Sequence, residues 1–222
     1  MKPSTFIRSL PVLDEQECAG WTGQVLALRP HWTRRDEHLP FYTLGLSAYL
    51  DAVRDDPQLG GKRAYQVAAL RQESNRLIAK HFSPLLERCC RALTASTGLP
   101  THCQGEPAAL PGFHIHLPHP LFGQEVASRH VDLQFKQVFG LSQPHPNEVL
   151  TLTLALSLPT GAGLRLWVDD EPLFHAYQLG HLALHNGLIP HQAVLHPSGG
   201  TVPRVMLQCH GILRDGAWLL YW

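Results

Sequence analysis

Residues 148–158 read EVLTLTLALSL, a run in which leucine alternates with smaller side chains. Successive side chains of a β-strand point to opposite faces of the sheet, so this alternation predicts a strand with two different faces. One face carries Leu150, Leu152, Leu154 and Leu156, and the other carries Thr151, Thr153, Ala155 and Ser157. Neither face is charged, so both should be covered. We expect the leucines to pack against helices and the hydroxyl-bearing face to line a cavity.

Similar short runs surround this one, and Pro, Gly or Asn residues separate them. They all follow Pro100 and read GFHIHL, HVDLQFKQVF, GLRLWV, HLALHN, HQAVLH, RVMLQCHGIL and AWLLYW. Short strands divided by turn residues are typical of an antiparallel sandwich or barrel rather than of alternating βαβ units. The second half of the chain is therefore predicted to be all β.

The first hundred residues show helical periodicity instead. A capping box at its start predicts a first helix near 15–28. Apolar residues then keep one helical face over 62–97. Because proline removes a backbone donor and clashes with the preceding turn, Pro84 predicts two consecutive helices there, near 62–82 and 84–97.

Neither half of the chain is expected to bury a full core alone. We therefore predict a single α+β, mainly β domain over residues 1–222, in which helices cover a sheet. Residues 1–100 would form a mostly helical support region, and residues 101–222 would form the β core.

The composition argues against some classes of partner. Lys plus Arg and Asp plus Glu both number 18, so neither nucleic acid nor an anionic membrane is expected to bind. The sequence begins without an apolar signal segment, and no later run reaches the roughly 18–20 apolar residues of a membrane helix, which predicts a cytoplasmic protein. Five cysteines without a CxxC pair predict reduced thiols. A small molecule or a peptide side chain is the expected substrate.

Histidine is unusually frequent, with 15 among 222 residues, and imidazole is the commonest metal ligand in proteins. The stretch RHVDLQF (129–135) places His130 two positions before Asp132. Roughly 0.6 such pairs are expected by chance in a chain of this composition, so the pair alone proves nothing. In a strand, however, both side chains would reach one ion, with Gln134 next on the same face. Two histidines and one carboxylate form the ferrous site of non-haem oxygenases, so a second, distant histidine is needed.

The segment YQLGHLALHNGLIPHQAVLHPSGGTVPRVMLQCHG (177–211) offers that histidine in an ordered setting. After a glycine turn, a strand and an Asn-Gly turn, His191 opens another run. Arg204 begins a further strand 13 positions later. His185 and His196 remain alternatives for the distal ligand.

In this order the elements resemble the Fe(II)- and 2-oxoglutarate-dependent dioxygenases, most nearly their prolyl-4-hydroxylase-like branch, over about residues 110–214. The resemblance implies a double-stranded β-helix (jelly-roll) core and hydroxylation of an unactivated C–H bond. It implies Fe(II), 2-oxoglutarate and O2 as cofactor and co-substrates, and it allows ascorbate as an additional cofactor.

The resemblance also implies roles for individual residues. His130, Asp132 and His191 would bind Fe(II), and Arg204 would pair with the distal carboxylate of 2-oxoglutarate. Arginine suits that role because its planar fork of donors meets a carboxylate at two points. Thr153 is the expected hydroxyl partner of the co-substrate. Halogenases of similar sequence lack the carboxylate, so Asp132 favours hydroxylation.

Two other functions remain open at this stage. A cupin-type metalloenzyme that does not use 2-oxoglutarate would bind its metal through His114 and His116, although such sites have a glutamate where Pro120 stands. A ligand-binding barrel without catalysis is the other alternative. The substrate itself is expected to contact segments 117–128 and 31–60.

Overall fold

The structure is a computed structural model that describes residues 7–52, 55–195 and 200–222. Its helices are α1 (Glu15–Ala27), α2 (Ala48–Asp51), α3 (Ala68–Thr97) and α4 (Phe135–Phe139). Its strands are β1 (Ile7–Pro11), β2 (Thr33–Arg34), β3 (Phe41–Leu44), β4 (Thr101–Cys103), β5 (Gly112–His116), β6 (Val149–Ser157), β7 (Gly163–Val168), β8 (Glu171–Ala176), β9 (His181–His185), β10 (His191–Val194), β11 (Arg204–Arg214) and β12 (Ala217–Tyr221).

Within the described part of the chain, the strands form two sheets. The larger sheet has nine strands in the order β1-β9-β6-β11-β5-β3-β2, with β12 paired to β11 and β4 paired to β12. Its pairings are antiparallel except that of β12 with β4. The smaller sheet is antiparallel, with the order β10-β7-β8. The predicted antiparallel, mainly β architecture with N-terminal helices is confirmed.

Strand β6 lies near the middle of the large sheet, between β9 and β11. Its leucine face enters the main hydrophobic cluster, where Leu152 and Leu154 are fully buried together with Phe82 and Leu85 of α3. Its other face lines a cavity through Thr151, and through Thr153 as well. The alternation of EVLTLTLALSL therefore divides the core from the cavity, as predicted.

Helix α1 begins with the predicted capping box. The Asp14 side chain accepts the backbone N–H of Glu17 at 2.8 Å, and the Glu17 side chain accepts the backbone N–H of Asp14 at 3.0 Å. These bonds satisfy two donors that a helix start otherwise leaves unpaired. The helix ends at Ala27, one residue short of the prediction.

Helix α3 contradicts the prediction of two helices over 62–97. It runs without a break from Ala68 to Thr97 and contains Pro84 in its interior. Proline leaves one carbonyl in the preceding turn without its usual donor. In the same turn, the Ser83 hydroxyl donates a hydrogen bond to a neighbouring carbonyl, that of Ala79, at 2.7 Å. Burial of one face of the helix, with Phe82 and Leu85 fully enclosed, holds the two halves together.

The prediction of a strand over HVDLQFKQVF is wrong. His130 forms one isolated bridge with His191, and the chain then turns into helix α4. The apolar positions of this short run suit either a strand or a helix, so its period does not decide between them.

The sequence reading also missed strands β1, β2, β3, β4 and β8. Strand β1 pairs with β9 and β3 pairs with β5, far along the chain in each case. Strands of two to six residues carry too few positions to show a period, and their pairing partners decide their conformation. None of the helices in the described ranges is long and apolar enough to cross a membrane.

Candidate metal and anion site

A cavity of about 310 Å³ lies between the two sheets. Leu164 of β7 and Ala193 of β10 line it from the small sheet, while side chains of β5, β6, β9 and β11 line it from the large one. Segments 117–128 and 31–60, which were expected to face substrate, both contribute to its wall. Its volume is at the lower end of the range for small-molecule sites, about 300–1,000 Å³.

At one end of the cavity, backbone pairing brings His130, Asp132 and His191 together. The N–H of His130 donates to the carbonyl of His191 at 2.9 Å, and the N–H of His191 returns the bond at 2.8 Å. The N–H of Asp132 donates to the carbonyl of Gly187 at 2.8 Å. His191, which follows His130 by 61 positions, therefore lies beside the His-x-Asp pair because hydrogen bonds join the two backbone segments.

The imidazole rings at this end are oriented by backbone carbonyls. Nδ1 of His130 lies 2.9 Å from the carbonyl of Ser128, and Nδ1 of His191 lies 2.8 Å from that of Ile189. A carbonyl only accepts, so each Nδ1 donates its N–H to the carbonyl and each Nε2 is turned toward Asp132. The Nε2 atoms lie 3.8 Å and 3.3 Å from oxygens of Asp132. One ligand atom from each of the three residues lies within 4.8 Å of the others, which is close enough to share one metal ion.

Asp132 is nearly inaccessible, with 4% of its surface exposed, and is held by several donors. The Thr151 hydroxyl donates to Oδ2, and the Gln134 amide donates to Oδ1 at 3.2 Å. Burial alone would raise the pKa of Asp132, but the nearby His210, the hydrogen bond with His191 and Thr151 hold it well below its usual range. The carboxylate is therefore ionised and ready to act as a ligand.

Sequence reasoning missed His210, whose Nδ1 lies 3.6 Å from Oδ2 of Asp132. His185, one alternative for the distal ligand, packs edge-on against His191 with ring centroids 4.6 Å apart and lies outside the group that can share an ion. Burial lowers the pKa values of both His185 and His210. The other alternative, His196, lies outside the described residues.

At the other end of the cavity lies Arg204, which is 3% exposed. Its Nε has no hydrogen-bond partner, and among the described residues no aspartate or glutamate forms an ion pair with it. Tyr177 places its ring centroid 5.8 Å from the guanidinium carbon. Thr153 lines the same region, where its hydroxyl donates to Gln208 at 2.8 Å. Burial lowers the pKa of Arg204, but a guanidinium remains charged at neutral pH.

The histidines of the cupin alternative do not join the metal group. His114 and His116 lie on β5, where His116 is the register partner of Arg204, and they face the same cavity. Cys103 lies beside Cys90, with the two sulfur atoms 3.6 Å apart.

No protein-family model matches this chain, and no curated protein is significantly similar to it. Solved structures do resemble it. An N-substituted L-amino acid dioxygenase from Burkholderia ambifaria AMMD superposes with a TM-score of 0.62 at 12% identity, covering 98% of this chain and 86% of that one. The non-heme α-ketoglutarate-dependent epimerase SnoN from nogalamycin biosynthesis gives 0.52 at 15% identity, covering 96% and 93%.

A third structure, an oxidoreductase of the 2OG-Fe(II) oxygenase family from Burkholderia pseudomallei, gives a TM-score of 0.51 at 12% identity, covering 96% of this chain and 87% of that one. At such identities the likeness is one of fold. The resemblance drawn from the sequence is thus confirmed at that level: this chain has the fold of the Fe(II)- and 2-oxoglutarate-dependent oxygenase superfamily.

Proposed function

We propose that this chain is a non-haem Fe(II)- and 2-oxoglutarate-dependent oxygenase that hydroxylates an unactivated C–H bond of a small molecule or peptide side chain. The observation that carries the proposal is the pairing of two incomplete sites in one cavity. A His-Asp-His group lies at one end, and a buried cation without an ion-pair partner lies at the other.

The metal end fits Fe(II) in the chemistry of its donors. His130 and His191 each turn Nε2 toward Asp132, where a metal would take the nitrogen lone pair, and Asp132 presents an ionised carboxylate. Two histidines and one carboxylate leave coordination positions open for a chelating co-substrate and dioxygen. We assign these three residues as the iron ligands.

The other end fits an anion. A buried charge without a partner is costly, so a guanidinium in this state is best explained by a ligand that completes it. The distal carboxylate of 2-oxoglutarate would pair with Arg204 at two points. Thr153 and Tyr177 line the same region and would add polar contacts to that carboxylate.

When bound, Fe(II) and 2-oxoglutarate would activate O2 for oxidation of a C–H bond, and ascorbate would serve as an additional reductant. The residues of this chain would act by holding and positioning. The carbonyls of Ser128 and Ile189 fix the imidazoles of His130 and His191, and Thr151 fixes the carboxylate of Asp132. Enclosure of the cavity between the sheets would limit the access of water to the reacting groups.

Two structural assignments belong to the same proposal. The two mainly antiparallel sheets are interpreted as a double-stranded β-helix, because the chain superposes over nearly its whole length on a dioxygenase, an α-ketoglutarate-dependent epimerase and an oxidoreductase of the 2OG-Fe(II) oxygenase family. Residues 1–222 are interpreted as one domain, since the main hydrophobic cluster contains side chains of both α3 and the large sheet.

The test is oxygen-dependent formation of succinate from 2-oxoglutarate by iron-loaded protein without substrate. We expect slow turnover in the wild type, none in Asp132→Ala and a sharp decrease in Arg204→Ala. His102→Ala, at an exposed histidine of β4, is the matched control and should turn over normally. Under anaerobic conditions, Fe(II) with 2-oxoglutarate should give a weak visible charge-transfer band. An iron-loaded sample with neither the band nor succinate would refute the proposal and favour a non-catalytic ligand-binding barrel.

A further inference from the structure

The wall of the cavity near Arg204 includes side chains of the neighbouring strands β3 and β5. His116 is the register partner of both Arg204 on β11 and Phe41 on β3. We call the part of the cavity lined by Phe41, Tyr49, His114, His116 and Phe122 the annex. It lies beside the proposed 2-oxoglutarate position, so a group inside it would be close to the reacting centre.

Among the described residues, two arginines lie beside the annex: Arg204, whose charge bound 2-oxoglutarate would take up, and Arg35, which is neutralised by its own chain. Arg35 donates to both oxygens of Asp51 at 2.6 Å and 2.7 Å, and its Nε donates to Thr43 at 2.7 Å. The Arg35 and Asp51 side chains are only 10% and 9% exposed. A guanidinium paired at two points with a buried carboxylate offers little attraction for a further anion.

His114 is half-buried in the wall of the annex. Its burial, followed by the charges of Arg204 and Arg35, holds its pKa well below the usual value. Its Nε2 and the Tyr49 hydroxyl are hydrogen-bonded at 2.9 Å. At the cavity wall, Asp36 is ionised because the backbone N–H groups of Leu39 and His38 hold its pKa low. That carboxylate would repel an entering anion.

The annex also presents flat ring surfaces. Phe41 and His116 are stacked with centroids 4.4 Å apart and planes 3° from parallel, and Phe122 meets His116 edge-on at 5.3 Å. Such surfaces pack well against another ring or a flat apolar group. The co-substrate would fill part of the 310 Å³ cavity, and the space that remains suits one ring or flat apolar group.

We propose that the annex is the substrate subsite and that it takes an uncharged, ring-bearing group, excluding carboxylates. This inference rests on the proposed function, since it places the group beside bound metal and 2-oxoglutarate. Ring stacking on Phe41 and His116 would supply affinity. With Arg204 occupied by 2-oxoglutarate and Arg35 paired with Asp51, no unpaired arginine among the described lining residues would attract an acid.

The test uses two probes that share a ring and differ in charge: benzamide and benzoate. Full-length protein is loaded with Mn(II) and saturating 2-oxoglutarate, and the binding of both is measured first by calorimetry. Paramagnetic broadening of the probe proton signals then reports binding near the metal, because the effect falls steeply with distance. We expect benzamide to be broadened at least threefold more than benzoate.

The Phe41→Leu variant should reduce the broadening of benzamide severalfold, and Phe174→Leu, at an exposed phenylalanine of β8, should leave it unchanged. Circular dichroism and the melting temperature establish that both variants are folded. Equal or greater broadening of benzoate, or no broadening of either probe while Mn(II) and 2-oxoglutarate bind, would overturn the inference alone. Failure of Mn(II) or 2-oxoglutarate to bind the wild type would overturn the proposed function and the inference with it.

Discussion

Two buried arginines line the same cavity in opposite states. Arg35 is bonded at two points to Asp51, a carboxylate of its own chain, and Arg204 forms no ion pair with any described residue. Both side chains are almost inaccessible to solvent. The first charge is satisfied within the fold, and under the proposed function the carboxylate of 2-oxoglutarate would satisfy the second. Similar burial of the same residue type would then mark a structural site in one place and a binding site in the other.

The difference extends to the surroundings of each arginine. The Arg35–Asp51 pair is held by a further hydrogen bond, because Asp51 also accepts the backbone N–H of Ser47 at 2.7 Å. The Arg204 end shares its cavity with Asp132 and its histidines, which are oriented but likewise incomplete without an ion. Changes to the Arg35–Asp51 pair should therefore affect the stability of the ligand-free protein. Changes around Arg204 and Asp132 should affect ligand binding.

The largest effect is expected for Arg35→Met. Removing one member of a buried ion pair leaves the other charge unpaired, which costs about 3–5 kcal/mol. Urea unfolding should show a loss of this size in the free energy of unfolding. Arg63→Met is the matched control, because Arg63 and Asp55 form an exposed pair worth about 0–1 kcal/mol. A loss of unfolding free energy below about 1 kcal/mol in Arg35→Met would show that the Arg35–Asp51 pair does not stabilise the fold.

Arg204→Met should behave in the opposite way. Without ligands its stability should equal or exceed that of the wild type, because an unpaired buried charge is removed. Its affinity for 2-oxoglutarate, measured by calorimetry with Mn(II) present, should fall about 100-fold, or about 2.7 kcal/mol. A clear loss of unfolding free energy in the ligand-free variant would contradict the contrast between the two arginines.

At the metal end, Gly187→Ala should displace Asp132. A methyl group at this glycine would lie 2.6 Å from the Thr151 hydroxyl and 3.1 Å from a carboxylate oxygen of Asp132. Disturbing the groups that orient a ligand typically lowers metal affinity by about 10–100-fold, and we expect the upper part of this range. Competition with a fluorescent Mn(II) chelator would measure it. Gly20→Ala, where the added methyl meets nothing within 4 Å, should bind metal normally.

The smallest effect is expected for Thr151→Val, which removes one hydrogen bond to Asp132 and keeps the shape of the side chain. Metal affinity should fall about 10-fold, and Thr151→Ser should restore it. Thr153→Val is the internal comparison, since this residue lies on the same face of β6 but bonds to Gln208. It should weaken 2-oxoglutarate binding and leave metal affinity unchanged. Equal metal affinity in the two valine variants would remove the positioning role of Thr151.

Much of the site was predictable because it follows the order of elements along the chain. The His-x-Asp pair, the later His191 and Arg204 on the following strand were all identified without coordinates, and the structure brings the first three together at one end of the cavity. His210 and Gly187 gave no such signal. Their importance depends on the distance from Asp132, and neither residue type nor spacing encodes that distance.

The sequence by itself determined that β6 would divide core from cavity, because side chains alternate across a strand whatever it pairs with. It also determined the start of α1, where Asp14 and Glu17 cap the helix locally. Tertiary structure decided that α3 continues through Pro84 and that residues after His130 leave the strand conformation, since packing and long-range pairing outweigh local preference. It alone decided that Arg35 pairs with Asp51 and that Arg204 forms no ion pair with a described residue, because an ion pair depends on distances in the folded chain.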